Sequence, residues 1–239
     1  MSRIVREGMW LRVVGARSRD GSTVGAAAVG HWRRDAPRCI IERMIAAVEV
    51  HPATPDRFGD VAAILAPSDP AAPACWCLSY RVPNAELRDL PSAERPARLR
   101  RFAEEGTPPG VVGYVDGEPA GWCSVSPRSS HHRLTHSRTI PAVDDTGAWS
   151  IVCIVIRPAF RRQGLATHLL EGAIVFAQDR GAPVLEAYPI ATGADRVSSA
   201  FAYVGTTRLF ESVGFERVVL TSSKSGGRPR WLMRRSLAA

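Results

Sequence analysis

Residues 149–170 read WSIVCIVIRPAFRRQGLATHLL, and this stretch decides the fold. Trp149–Ile156 is almost continuously apolar, the pattern of a strand buried on both faces. A short loop follows with Arg157, Arg161, Arg162 and the single glycine Gly164. A helix then runs from about Gly164 to Arg180, with Leu165, Leu169, Ala173, Phe176 and Ala177 as its core stripe and Gly181 at its end. A buried strand feeding a helix start is a device for holding phosphate. The first helical N–H groups have no partners within the helix, and the macrodipole places roughly half a positive charge there. A pyrophosphate accepts several such N–H bonds at once. Gly164 lets a ligand approach the backbone, and Ala166 keeps that approach open. The loop lacks the Walker A pattern, and one glycine does not make a Rossmann fingerprint.

Working outward, Ala46–His51 alternates like a strand. Thr54 and Pro55 open a helix with Phe58, Val61 and Leu65 on one face. Cys75–Arg81 reads as extended, and SAERPARLRRFAEEG (residues 92–106) as a second helix. Val111–Val115 and Ala120–Val125 form a hairpin across Asp116-Gly117. Residues 129–147 are polar and aperiodic. After the central helix, PVLEAYPI (183–190) is a strand, and SSAFAYVGTTRLFESVGF (198–215) a helix closed by Gly214. ERVVLTSS (216–223) and RPRWLMRR (228–235) close the chain as a strand pair. The reading is one mixed α/β domain over 44–239, its central sheet flanked by helices. Residues 1–43, without a clear period, read as a weakly structured extension.

The net charge of +8 is confined to the two ends. Residues 1–43 carry nine arginines against four acids, and Lys224 to the C-terminus adds five basic residues and no acid, so the middle is slightly acidic. That distribution, with no recognition motif, gives little support to a nucleic-acid partner. No stretch approaches the roughly 20 apolar residues of a membrane span, and the N-terminal ten residues lack the apolar run of a secretory signal. Five cysteines, odd in number and set in apolar runs, suit reduced thiols in the cytoplasm. Cys75-Trp76-Cys77 has the wrong spacing for a zinc knuckle, so no metal is expected.

Arg161-Arg162-Gln163-Gly164-Leu165-Ala166, after Ile156-Arg157-Pro158, resembles the [QR]-x-x-G-x-[GA] signature of the GNAT superfamily of acyl-CoA-dependent N-acetyltransferases. LFESVGF (209–215) is similar to that family's common closing motif, and the resemblance extends over most of residues 46–235. It implies a GNAT-like mixed sheet with a strand–phosphate loop–helix site for acetyl-CoA as acyl donor. The acyl and pantetheine groups would lie along Ile154, Val155 and Ile156. The pyrophosphate would lie on Arg161, Arg162, Gln163, Gly164, Leu165, Ala166 and Thr167. The family's thiolate-protonating tyrosine aligns with Phe210, which cannot donate a proton and is left as a cofactor contact. Tyr203, two helical turns earlier, is the replacement candidate, either as acid or as a ring packed on the sheet.

Acetyl transfer to an amine by direct attack also needs a base. Glu186, on an otherwise apolar strand, is the candidate, with Tyr188 on its face; pairing of Glu186 with an arginine is the competing reading. His131 and His132 are weaker candidates, and His168 reads as surface. Cys153 is read as a core thiol ahead of a covalent acyl carrier. The resemblance points Trp122, Ser124 and Arg128 toward a small-molecule or peptide amine, with CWCLSYR (75–81) as another wall. A CoA-binding domain with a regulatory role is the alternative, motivated by Phe210. A homodimer is left open.

Overall fold

The computed structural model describes residues 3–7, 10–14, 47–69, 72–191 and 202–237. Two short strands, β1 (Arg3–Glu7) and β2 (Trp10–Val14), precede β3 (Val48–Pro52). Helices α1 (Phe58–Leu65), α2 (Asn84–Asp89) and α3 (Arg95–Glu104) follow. The hairpin β4 (Gly110–Val115) and β5 (Glu118–Pro127) leads through the one-turn α4 (His132–Thr135) into β6 (Trp149–Ile156). Then come α5 (Leu165–Gln178), β7 (Val184–Ala187), the short α6 (Thr207–Glu211), β8 (Glu216–Ser225) and β9 (Arg228–Ser236).

Among the described residues, nine strands make one mixed sheet in the order β1-β2-β3-β4-β5-β6-β7-β9-β8. Every pairing is antiparallel except β6 with β7. α5 is the crossover between those two parallel strands, as a parallel pair requires. The expected N-terminal extension contributes the β1–β2 hairpin to the sheet edge, while residues 15–43 and Met44 lie outside the described residues. Among the described residues, no helix is long and apolar enough to cross a membrane.

Two apolar layers cover the sheet. On one face α5 and α6 pack over Ile151, Ile154 and Leu185. On the other, α1, α3 and the segment around Leu78 pack over Trp122, Val152 and Cys153. In α1 the buried positions are Phe58, Val61 and Ile64; Leu65, expected on that face, is only half-buried. Cys75–Arg81 is not extended. Trp76 and Cys77 take left-handed conformations (φ 50° and 52°), and Leu78–Tyr80 follow as a 3₁₀ turn. Cys77 is buried but Cys75 is exposed, so the two thiols do not share a strand face. The expected helix over 198–215 is described only from Ala202, as a 3₁₀ turn (Ala202–Val204) and then α6.

Glycines set how closely α5 lies on the sheet. Gly113 and Gly121 face each other across β4 and β5. A Cβ on either would come within 2.9 and 2.7 Å of the Leu169 methyls. A Cβ on Gly172 would sit 2.4 Å from Val50 Cγ1 and 2.6 Å from its Cβ. Alanine is the better helix former by about 1 kcal/mol, yet Gly172→Ala should destabilise the protein by about 1–3 kcal/mol through overpacking. The Val50 Cβ at 2.6 Å would remain in a Val50→Ala background, so that second change should not restore the loss, which is read as a Tm difference by calorimetry. A Gly172→Ala protein that melts higher than the parent would contradict this packing.

Candidate active site

The two parallel strands separate where the chemistry is expected. β6 pairs with β7 only from Trp149–Leu185 to Ile151–Ala187. Two local features part them. Between Ser124↔Cys153 and Val125↔Ile151, β6 advances two residues while β5 advances one, so Val152 is the extra residue of a β-bulge. A bulge bends its strand and re-aims its side chains. Here Val152 and Cys153, consecutive in sequence, both enter the α1–α3 layer. On the other strand, Pro189 has no N–H to continue the ladder. The edge of β6 beyond Ile151 therefore has no β7 partner.

Two adjoining cavities occupy this opening. One, of about 270 Å³, is lined by Ile154, Val155, Ile156, Arg161, Ala166, Tyr203, Gly205 and Leu209. It runs between the open edge of β6 and the start of α5. At that start Arg162 (φ 63°) and Gly164 (φ 85°) are left-handed, and Gly164 is the N-cap of α5. Arg161 Nε donates to the Ile156 carbonyl (2.9 Å) and Gln163 Nε2 to the Ala159 carbonyl (3.0 Å), which pins the loop to the strand end. The Thr167 amide donates to the Gly164 carbonyl (3.0 Å), and the amides ahead of it are those a helix leaves without internal acceptors. Ile154, Val155, Ile156, Arg161 and Ala166 thus surround one groove; Leu165 is buried against the sheet.

The second cavity, of about 430 Å³, opens on the other layer and is lined by Trp76, Cys77, Tyr80, Arg133, Cys153 and Tyr203 with apolar neighbours. Tyr203 and Val155 line both cavities. Burial pushes the Tyr203 phenol above its ordinary range, so it is a protonated donor at neutral pH. CWCLSYR forms a wall, as its sequence predicts, but as a left-handed corner. Cys77 accepts a hydrogen bond from Trp122 Nε1 (3.1 Å). A thiol hydrogen bond from Cys153 holds Cys77 below the usual cysteine range, and the same contact with burial pushes Cys153 well above it. Cys153 therefore stays a thiol at neutral pH, which disfavours it as an acyl carrier. A larger cavity of about 860 Å³ lies between α5, the turn after α6 (Ser212, Val213, Gly214), β7, β8 and β9, and no β6 residue lines it.

Several expected site residues lie elsewhere. Glu186 is completely buried. Its Oε1 accepts from Arg234 Nη2 (2.7 Å) and Nε (3.0 Å), and its Oε2 from Tyr188 Oη (2.7 Å) and Arg128 Nε (3.2 Å). Both oxygens are taken, so Glu186 is a structural anion, as the arginine-pairing reading had it, and not a base open to substrate. Tyr188 is buried too, bonded to Ser150 Oγ (2.9 Å), and burial with the Glu186 charge pushes its phenol far up. Arg234 also binds Asp144 and holds that carboxyl well below the usual range. This network ties β6, β7 and β9 together just below the point where β6 and β7 part.

Trp122 and Ser124 are fully buried and back the second cavity without lining it. Ser124 Oγ holds Arg81 Nη2 (3.2 Å), and Arg128 is committed to Glu186 and the Ile140 carbonyl. Phe210 is not a cofactor contact. It is fully buried, stacks edge-on against Phe215, and supports Gly205 from beneath, while its neighbour Leu209 lines the groove. His131 is not in an open segment either. It is buried, bonds Ser126 Oγ (3.0 Å), and burial with the nearby Arg81 charge pushes it well below 6.5, so it is neutral. His132 stacks on His136, and His168 pairs with Glu171 on α5.

Residues 79–204, just over half of the chain, match the acetyltransferase (GNAT) family. The chain belongs to the GNAT acetyltransferase family. No curated protein sequence matches it significantly. Similar solved structures include yncA from Salmonella typhimurium with acetyl-CoA (16% identity, 80% of this chain and 94% of that one, TM-score 0.45). A GNAT acetyltransferase from Streptococcus pneumoniae (16%, 80% and 99%, TM-score 0.47) and the ribosomal-protein-S18-alanine N-acetyltransferase from Escherichia coli (15%, 80% and 95%, TM-score 0.42) are others. In this GNAT chain Tyr80 comes from the CWCLSYR wall, while the residues missing from the sequence reading are Arg133, which lines the second cavity, and Arg230, which stands behind it on Tyr80 Oη.

Removing the Glu186 charge should leave Arg128 and Arg234 uncompensated in the interior. Glu186→Gln is expected to lower stability by about 3 kcal/mol, measured by denaturant titration. The shape of the pH–rate profile should not change. Parental stability with a lost acidic limb would restore Glu186 as the base.

Proposed function

We propose that the protein transfers the acetyl group of acetyl-CoA to the amine of a small molecule or peptide by direct attack in a ternary complex. The observation that carries this reading is the groove leading from the α5 N-terminus along the open β6 edge to Tyr203, and from Tyr203 into a second cavity. The amides of Arg162–Ala166 would hold the pyrophosphate, with Thr167 closing the turn on the Gly164 carbonyl, aided by the charge of Arg161 and Arg162. The edge of Ile154–Ile156 that faces away from β5 would bind the pantetheine arm, and an N–H near Ile154 would polarise the thioester carbonyl. Tyr203, at the junction, would give its proton to the departing thiolate. Among the described residues no carboxylate or free imidazole lines the second cavity. The amine would therefore react from its neutral fraction, with its proton lost to water, and the rate should rise with pH up to the pKa of the acceptor itself. We place this activity in residues 44–239. The regulatory, non-catalytic alternative was motivated by Phe210, and Tyr203 in the groove removes that motive.

Two variants test the reading. Gly164→Glu sets a carboxylate in the anion site, and calorimetry should show CoA affinity reduced more than tenfold. Gly164→Ala pays similar left-handed strain, about 1–2 kcal/mol, and should keep more affinity. Equal CoA binding by a folded Gly164→Glu protein would remove the cradle. Tyr203→Phe should lower kcat by roughly 10²-fold, within the range for a positioned acid, at nearly unchanged KM for acetyl-CoA. An unaltered kcat for that variant would exclude Tyr203 as the proton donor.

A further inference from the structure

Three arginines stand around the second cavity without a carboxylate among the described residues. Arg133 lines it, its guanidinium carbon 5.2 Å from the centre of the Tyr80 ring. Arg230, only 3% exposed, donates from Nη1 to Tyr80 Oη (2.8 Å) and from Nε to the Tyr188 carbonyl (2.7 Å). Its Nη2 is buried with no acceptor. Arg81 is also buried, with Nη2 on the Pro109 carbonyl (2.6 Å) and Nε without an acceptor; burial pushes it down to about 10, still charged at neutral pH. Some other arginines pair with acids: Arg128 and Arg234 with Glu186, Arg98 with Glu86, and Arg157 with Glu118; Arg95, Arg161 and Arg235 end on backbone carbonyls instead of leaving a buried N–H open.

Burying guanidinium groups without counter-charge is costly. Arg81 and Arg230 stand behind the lining, so an anion entering the cavity would meet Arg133 and Tyr80 directly and be drawn by the charge of the two arginines behind them. Tyr80 strengthens the argument. Its oxygen accepts from Arg230, so its own proton is free to donate, and Tyr80 lines the cavity. Most of the remaining wall is apolar, with Ile64, Leu65, Trp76, Val152 and Val155, alongside Ser79, Tyr203 and the thiols of Cys75, Cys77 and Cys153. We infer that the acceptor is an amine that also carries a carboxylate on an apolar body, and that Arg133 and Tyr80, with Arg230 behind, receive that carboxylate. The same charge disfavours polycationic acceptors such as polyamines. The inference rests on the transferase reading for the word acceptor, but the site itself can be tested by binding alone.

Two matched pairs separate the carboxylate from the rest of the molecule: phenylalanine against phenylalaninamide, and para-(aminomethyl)benzoate against its amide. Each is titrated calorimetrically into the full protein saturated with CoA, and each is assayed with acetyl-CoA for thiol release. In at least one pair the carboxylate should bind tenfold or more tightly than its amide, about 1.4 kcal/mol. Arg133→Gln, on an exposed side chain, should cut that preference to threefold or less. Amides that bind as well as the acids in both pairs, no binding by any of the four, or a preference untouched in Arg133→Gln would each overturn the inference. Tight carboxylate binding without thiol release would leave this site standing and overturn the transferase reading. Thiol release with equal preference for amides would do the reverse.

Discussion

The closeness of α5 to the sheet is the constraint on which the rest depends. Gly113 and Gly121 provide a floor without side chains under Leu165 and Leu169, and Gly172 lets the helix descend onto Val50. Buried interiors are packed densely enough that one methyl group there displaces its neighbours. The helix start is thereby fixed beside the end of β6, and with it the left-handed turns at Arg162 and Gly164. A phosphate site needs little more than amides held in place, so the energy of the apolar contacts becomes the positioning of a polar site.

The second requirement is an opening in a sheet that otherwise pairs continuously. The bulge at Val152 and the proline at 189 part β6 from β7, and the Glu186 network holds them together just before they separate. Two arginines around one buried carboxylate, with Tyr188 and Ser150 attached, make that fork rigid where it begins. Beyond it, the bulge turns Val152 and Cys153 into the same layer and brings the end of the proposed pantetheine route against the proposed acceptor cavity. One distortion of one strand thus serves both the donor and the acceptor side of the proposed reaction.

What could be read from the sequence was local. The strand–loop–helix unit at 149–178 is written in short-range periodicity and in Gly164, and the 110–127 hairpin in its Asp116-Gly117 turn. What could not be read was set by distant contacts. Cys75–Arg81 looks extended because bulky residues seldom adopt positive φ; Trp76 and Cys77 do so in a corner packed against Trp122, 45 residues away for Cys77. Glu186 stands out as an acid in an apolar strand, but its partners Arg128 and Arg234 lie 58 and 48 residues away. His131 sits in a polar stretch yet is buried, and Phe210 is aligned on a catalytic position but points into the core. In each case the residue type was informative and its direction was not.

The most direct measurement is a crystal structure of the protein with CoA. The account predicts the pyrophosphate within hydrogen-bond distance of the amides of Arg162–Ala166, the pantetheine arm along Ile154–Ile156, and the sulfur beside Tyr203 at the mouth of the Cys77–Cys153 cavity. CoA seated instead in the larger cavity between α5 and the β8–β9 hairpin, with the 162–166 amides unoccupied, would contradict it.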